Sequence, residues 1–280
     1  MLGARRVRGA ECEVLEPGDP RLDHYRHLAG GDRLRARGLF VAEGRLVVRR
    51  VLDDPSYRVR SLLLTDAARA GLEDALERAP ANLPAYIVSL EAMQAIAGFN
   101  IHRGCLALVD RPALIDLAEI IGRLENTSLV VALEEVANAD NVGGVFRNAL
   151  AFGAGALLLS PGCCDPLYRK AIRTSMAATL RVPFARVERW PGGLEAVRAA
   201  GFALVALTPA ADARDIGAFA TDPGRPPRIA LVVGTEGAGL SAAAEVMADA
   251  RVRIPMAPGV DSLNLATATG ITLHALQDRR

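Results

Sequence analysis

Residues 231–241 read Leu231-Val232-Val233-Gly234-Thr235-Glu236-Gly237-Ala238-Gly239-Leu240-Ser241. A continuous apolar run ends at a glycine, two more glycines follow, and a helical pattern takes over across 240–248. An uninterrupted apolar run predicts a strand buried on both faces, as in a parallel sheet, and the strand–glycine–helix order predicts a βα unit. Glycines at such a turn bring backbone N–H groups close to a ligand. The spacing is neither GxGxxG nor the GK[ST] of a P-loop. Glu236 would also repel a phosphate, so the turn suits a ligand with a cationic or hydrogen-bond-donating group.

The same alternation extends outward. Strands are predicted at 128–133, 156–159, 203–207, 229–233 and 251–254, and helices at 142–152, 166–178, 192–200, 240–248 and 263–277. Residues 218–228 read as a loop. Two more polar constellations sit at strand ends. Asp140-Asn141-Val142-Gly143-Gly144-Val145-Phe146-Arg147-Asn148 opens a helix that Asp140 or Asn141 can cap. Positions 140, 143, 144 and 147 share one face, so Arg147 emerges beside two glycines. Paired glycines in a first turn cost about 1 kcal/mol each in helix propensity, which implies a close approach there. The other constellation, Val252-Arg253-Ile254-Pro255 to Val260-Asp261-Ser262-Leu263-Asn264, is a strand stopped by proline, then a loop. Ser262 is its expected helix cap, with Ser262 and Asn264 in the first turn.

The N-terminal half forms a smaller α/β pattern. Strands at 39–41, 60–64, 86–88 and 105–109 alternate with helices at 44–53, 66–79 and 90–97, with Asp66 and Ser89 as N-caps. Arg111-Pro112 closes this part, and 113–125 suits a linking helix. The expected division is a domain over 1–111, a linker over 112–127 and a second domain over 128–280.

Composition narrows the classes. The chain has 280 residues, 51% of them hydrophobic, with 33 cationic and 32 acidic side chains, for a net charge of +1. A disordered chain and a globally basic nucleic-acid binder are excluded. Lys170 is the only lysine, an arginine bias that GC-rich coding explains as readily as phosphate recognition does. Local excess of positive charge survives: 163–190 holds six cations against two carboxylates, and 1–60 holds thirteen arginines against nine. No segment has the roughly 18 continuous apolar residues of a membrane span, and no signal peptide opens the chain. The cysteines Cys12, Cys105, Cys163 and Cys164 form no CxxC, and no metal site is expected. GxSxG, a Cys/His pair and a carboxylate dyad are all missing, which argues against a covalent hydrolase. These features predict a soluble cytoplasmic protein.

Taken in order, the three constellations resemble the motifs of the SpoU (TrmH-like) branch of the SPOUT RNA methyltransferases. The matching residues are Asn141-Val142-Gly143 with Arg147 and Phe152-Gly153; Gly234-Thr235-Glu236-Gly237 with Gly239-Leu240-Ser241; and Ile254-Pro255-Met256 with Ser262-Leu263-Asn264. Arg173-Thr174-Ser175 is similar to a further family segment. Phe40-Val41-Ala42-Glu43-Gly44-Arg45 and His102-Arg103-Gly104-Cys105-Leu106-Ala107 resemble the family's ribosomal-protein-like substrate domain. Asn148 and Thr235 depart from the usual threonine and asparagine or serine.

The resemblance implies a SPOUT-type parallel sheet with a deep trefoil knot, a small N-terminal α/β domain and a homodimer. It implies 2′-O-ribose methylation of structured rRNA or tRNA with S-adenosyl-L-methionine as cofactor. By the same transfer, Arg147 acts at the ribose hydroxyl, with Asn141, Glu236, Ser262 and Asn264 shaping the site. Thr208, Gly234, Gly239, Ile254 and Leu263 hold the cofactor, and Arg45, Arg103, Arg169, Lys170 and Arg173 bind RNA. Small residues on the 142–152 and 263–277 helices are the expected dimer contact. A base-methylating relative and an RNA-binding ribosome-assembly protein without catalysis are the alternatives.

Overall fold

A computed structural model describes residues 11–26, 28, 32–101, 104–124 and 129–277. The chain falls into two units: Met1–Ala113 with Leu167–Ala177, and Leu114–Pro166 with Ala178–Arg280.

The first unit is built on β1 (Glu11–Val14), α1 (Asp32–Arg35), β2 (Leu39–Glu43), α2 (Arg45–Asp53), β3 (Val59–Leu64), α3 (Asp66–Ala70), α4 (Glu73–Arg78), β4 (Pro84–Ile87), α5 (Leu90–Ala97) and β5 (Cys105–Asp110). Its sheet runs β1-β4-β3-β5-β2, with β5 antiparallel to both neighbours and the remaining pairs parallel. Val41, Leu63, Leu106 and Leu108 form one core with Met93 and Ile96 of α5 and with Leu22 and Tyr25 of a short 3-10 turn. Ser89 caps α5, its side chain accepting the Ala92 N–H. Thr65, not Asp66, caps α3. The helix expected over 66–79 is two helices, because the chain breaks at Gly71-Leu72. A Cβ on Gly71 would lie 2.7 Å from the Arg45 guanidinium, which occupies that space.

The second unit contains α6 (Leu117–Gly122), β6 (Leu129–Leu133), α7 (Ala139–Ala151) and β7 (Leu157–Leu159). The chain then lends α8 (Arg169–Thr174) to the first unit before β8 (Phe184–Arg186), α9 (Glu195–Ala199), β9 (Ala203–Leu207), β10 (Arg214–Asp215), α10 (Ile216–Ala220), β11 (Ile229–Val233), α11 (Ala242–Met247), β12 (Ala250–Arg253) and α12 (Leu265–Leu276). The seven strands order β10-β12-β9-β11-β6-β7-β8, parallel throughout. Every residue of β6, β7 and β11 is buried, as their apolar runs require.

Several local readings change. The short edge strands β8 and β10 escape the sequence pattern, having three and two residues. Part of the supposed loop over 218–228 is α10, which Asp215 caps by accepting the Gly217 N–H. The cap of α7 is Asn138 rather than Asp140 or Asn141. The cap of α12 is Asn264, and Ser262 precedes that helix. Among the described residues no helix is long and apolar enough to cross a membrane.

The small residues of α7 and α12 serve a contact within the chain. A Cβ on Gly144 would sit 2.6 Å from the Ala266 Cβ, and one on Gly270 would sit 2.8 Å from the Asn148 amide. Asn148 Nδ2 donates to the Ala266 carbonyl at 2.6 Å. The stripe expected to admit a second copy therefore admits the neighbouring helix. Gly144→Ala should lower stability by about 1–2 kcal/mol despite its better helix propensity, since two methyl groups cannot share this space. Thermal unfolding checks this, and adding Ala266→Gly should restore part of the loss in a non-additive cycle. A higher melting temperature for Gly144→Ala alone would contradict the close contact.

Candidate active site

In a parallel sheet, the loops that follow the strands leave from one edge, where ligand crevices form. The loops after β9, β11 and β12 lie side by side on that edge and enclose a cavity of about 520 Å³. Its apolar walls include Leu207, Val233, Ile254, Met256 and Leu263. Thr208, Gly234 and Gly239 also line it, so all five residues assigned to the cofactor share one cavity.

The glycine turn explains part of its shape. Thr235 and Gly239 form an antiparallel bridge, with the Gly239 N–H donating to the Thr235 carbonyl at 3.0 Å. The turn closes so tightly that a Cβ on Gly234 would lie 2.2 Å from the Gly239 backbone. Gly237 and Gly239 have φ of +85° and +71°, which an L side chain rarely adopts.

Polar groups gather on one side. Glu236, Asp261, Ser262 and Asn264 line the cavity. Asn264 Nδ2 donates to Asn141 Oδ1 at 2.9 Å and to Glu236 Oε1 at 3.2 Å. Its Oδ1 accepts the Thr267 N–H at 3.2 Å. One amide thus joins all three constellations while capping α12, and it fixes the Glu236 carboxylate relative to α7. Asn141 is buried and is joined to the cavity wall through this bridge. Arg147 is exposed on α7, outside the residues that line the cavity.

The residues assigned to RNA behave differently from one another. The Arg169 side chain is 12% exposed, pairs with buried Glu43 and lies 3.7 Å over the Phe99 ring. That guanidinium is committed to the first unit's interior. Arg173, 3.6 Å from the same carboxylate, stays 45% exposed, and Arg45 is exposed as well. Lys170 is half-buried, and Arg103 lies outside the described residues.

Two carboxylates escaped the sequence reading. Asp261 lines the cavity, and its place beside Ser262-Leu263-Asn264 was a usable signal. Glu134, 4% exposed, directly follows the apolar run of β6. Its Oε1 accepts the Trp190 indole N–H and the Ser241 hydroxyl, both at 2.7 Å, and its Oε2 accepts the Ser241 N–H at 2.8 Å. An acid ending a buried strand is the trace it leaves in sequence; its partners are 56 and 107 residues away. Burial pushes the Cys105 thiol up to about 12 and raises that of Cys163, so neither is a thiolate at neutral pH. Among the described residues no cluster of three or more metal-ligating side chains occurs.

A parallel sheet with a glycine-built, apolar-walled cavity defines an α/β protein with a ligand crevice at its strand ends. The chain belongs to the SpoU rRNA Methylase family, which residues 128–274 match. An uncharacterized tRNA/rRNA methyltransferase of Mycobacterium tuberculosis is 40% identical over 270 residues, 94% of this chain and 90% of that one. The SpoU methyltransferase AviRb of Streptomyces viridochromogenes, solved in complex with AdoMet, is 26% identical with a TM-score of 0.73, covering 92% of this chain and 96% of that one. An AdoMet-bound rRNA methyltransferase from Sinorhizobium meliloti shares the fold at a TM-score of 0.77 and 24% identity, over 95% of this chain and 97% of that one. The chain is an RNA methyltransferase of this family.

Asn264→Asp isolates the amide bridge. An aspartate still caps α12, yet it loses both donated bonds and faces Glu236 with a like charge. Methyl transfer should fall by about 100-fold, the effect of misplacing reacting groups by an ångström, while the melting temperature changes little. Transfer assays alongside thermal unfolding check this.

Proposed function

We propose that the protein methylates the 2′-hydroxyl of a ribose in structured rRNA or tRNA, using S-adenosylmethionine. The observation that carries this reading is the Asn141–Asn264–Glu236 bridge at the wall of a cavity whose residues suit that cofactor. Apolar walls accept an adenine, and the turn at Gly234, Gly237 and Gly239 leaves backbone room that a single Cβ on Gly234 would fill. Glu236 and Asp261 supply negative charge toward a cationic ligand, and among the described residues no arginine, lysine or histidine lines the cavity.

When bound, S-adenosylmethionine would supply a methyl group already activated on a sulfonium, with S-adenosylhomocysteine as the leaving group. The work left to the chain is to align the ribose hydroxyl, whose proton passes to water as the O–C bond forms. Glu236 and Asn264 orient the acceptor, with Ser262 beside them. Arg147 holds a neighbouring phosphate through its guanidinium fork and polarises the hydroxyl. It is exposed, and no hydrogen bond or ion pair occupies it among the described residues. Residues 1–111 present RNA through Arg45 and Arg103, and Arg173 adds exposed charge; 112–127 link this part to the catalytic residues 128–280. The same reading includes a deep trefoil knot within 128–280, one of the rare exceptions to unknotted topology, a pairing of two copies and a place in the cytoplasm.

Transfer of labelled methyl groups to total RNA, followed by nucleoside analysis, tests the reaction. The expected product is a 2′-O-methylnucleoside. A base-methylated product or no transfer would overturn the reading. Arg147→Lys keeps the charge but loses the planar fork, and should cut transfer by about 100-fold or more with cofactor affinity little changed. Single-turnover transfer with calorimetry checks this, and near-normal transfer by Arg147→Ala would remove Arg147 from the mechanism.

A further inference from the structure

Glu134 grips both ends of the glycine turn. Its backbone N–H donates to the Val233 carbonyl at 2.9 Å, at the point where β11 enters the turn. Its carboxylate accepts the N–H and hydroxyl of Ser241, where the turn leaves for α11. Ser241 is also the cap of α11, its hydroxyl accepting the Ala244 N–H at 3.2 Å. The third bond, from the Trp190 indole, holds the carboxylate in place. Leu240 and Trp190 pack against the same buried cluster, so the clamp is anchored in the core. A buried carboxylate would be costly without partners, and three donors satisfy this one.

We infer that Glu134 is a positioning residue for the cofactor turn: by fixing Val233 and Ser241 together, it sets the backbone of 234–239 that faces the cavity. Glu134 touches no reacting atom and acts through Ser241. The inference rests on the cofactor reading above. It adds a residue from the end of β6 that stands behind a cavity lined by the loops after β9, β11 and β12 and by α12. It also makes Trp190, the only tryptophan in the chain, a reporter of the turn's state.

Glu134→Gln in the full chain tests it, because the amide keeps the size but turns a donor toward the Ser241 N–H. In the free protein, hydrogen exchange across 235–241 should quicken by about tenfold or more, the scale of a lost hydrogen bond to a charged group. The KM for S-adenosylmethionine should rise by a similar factor while kcat stays within about threefold, the signature of weakened ground-state binding. Trp190 emission should respond to the cofactor in the wild type and lose that response in the variant. Unchanged exchange and unchanged KM would overturn the inference. If Glu134→Gln does not fold, Ser241→Ala decides: it removes one of the bonds and should raise both values by about threefold, and no change would refute the clamp. Should calorimetry show that the wild type binds no S-adenosylmethionine, the cofactor reading fails by itself, and the exchange comparison still judges Glu134.

Discussion

Strand β11 pairs in register with β6 on one side and β9 on the other, from Ile229 to Val233. Each of its residues therefore has a neighbour at the same height on both flanks. The parallel arrangement brings the C-terminal ends of the three strands to one edge, and β12 joins them beside β9. Loops far apart in sequence must then emerge together. The cavity, the glycine turn and the carboxylate at the end of β6 all follow from this double ladder. A register slip of one residue would exchange the side chains of the two buried faces of β11 and pull these loops out of line.

Above the ladder, shape and charge divide the work. Glycines remove side chains where the backbone must fold on itself, and leucine, isoleucine and valine supply walls. Glu236 and Asp261 sit where a cation would be stabilised, and Asn264 links Glu236 to α7 through one amide. That amide has no spare capacity: both kinds of its polar atom are already bonded. The close packing of α7 on α12 keeps Asn141 and Asn264 within reach, so the Gly144–Ala266 contact supports the site from a distance.

The long apolar strands were legible because burial on both faces leaves an unbroken hydrophobic run. β9 was read at its observed limits, and β11 likewise. The three constellations could be placed at strand ends for the same reason, and the five residues expected to hold a cofactor line one cavity. What failed depends on contacts that local pattern does not carry. β10 has two residues and exists only through pairing with β12. The caps differ because Asn138 and Asn264 satisfy the first-turn N–H groups, for which several polar residues nearby compete in the sequence. Arg169 read as surface charge, since its partner Glu43 is 126 residues away. Glu134 was invisible in a similar way: its meaning lies in Trp190 and Ser241.

The loan of α8 to the first unit has a consequence for biosynthesis. Glu43 is buried in β2, but the guanidinium that neutralises it arrives with Arg169, after β6 and β7 have been made. A nascent chain that has emerged only to Ala113 holds the strands of the first unit and a carboxylate with no counter-ion. Leaving a buried charge without its partner costs about 3–5 kcal/mol, so the usual order, in which an N-terminal domain finishes before the next begins, does not hold. The first unit is completed only once Leu167–Ala177 has left the ribosome, after β6 and β7 of the second unit have been made.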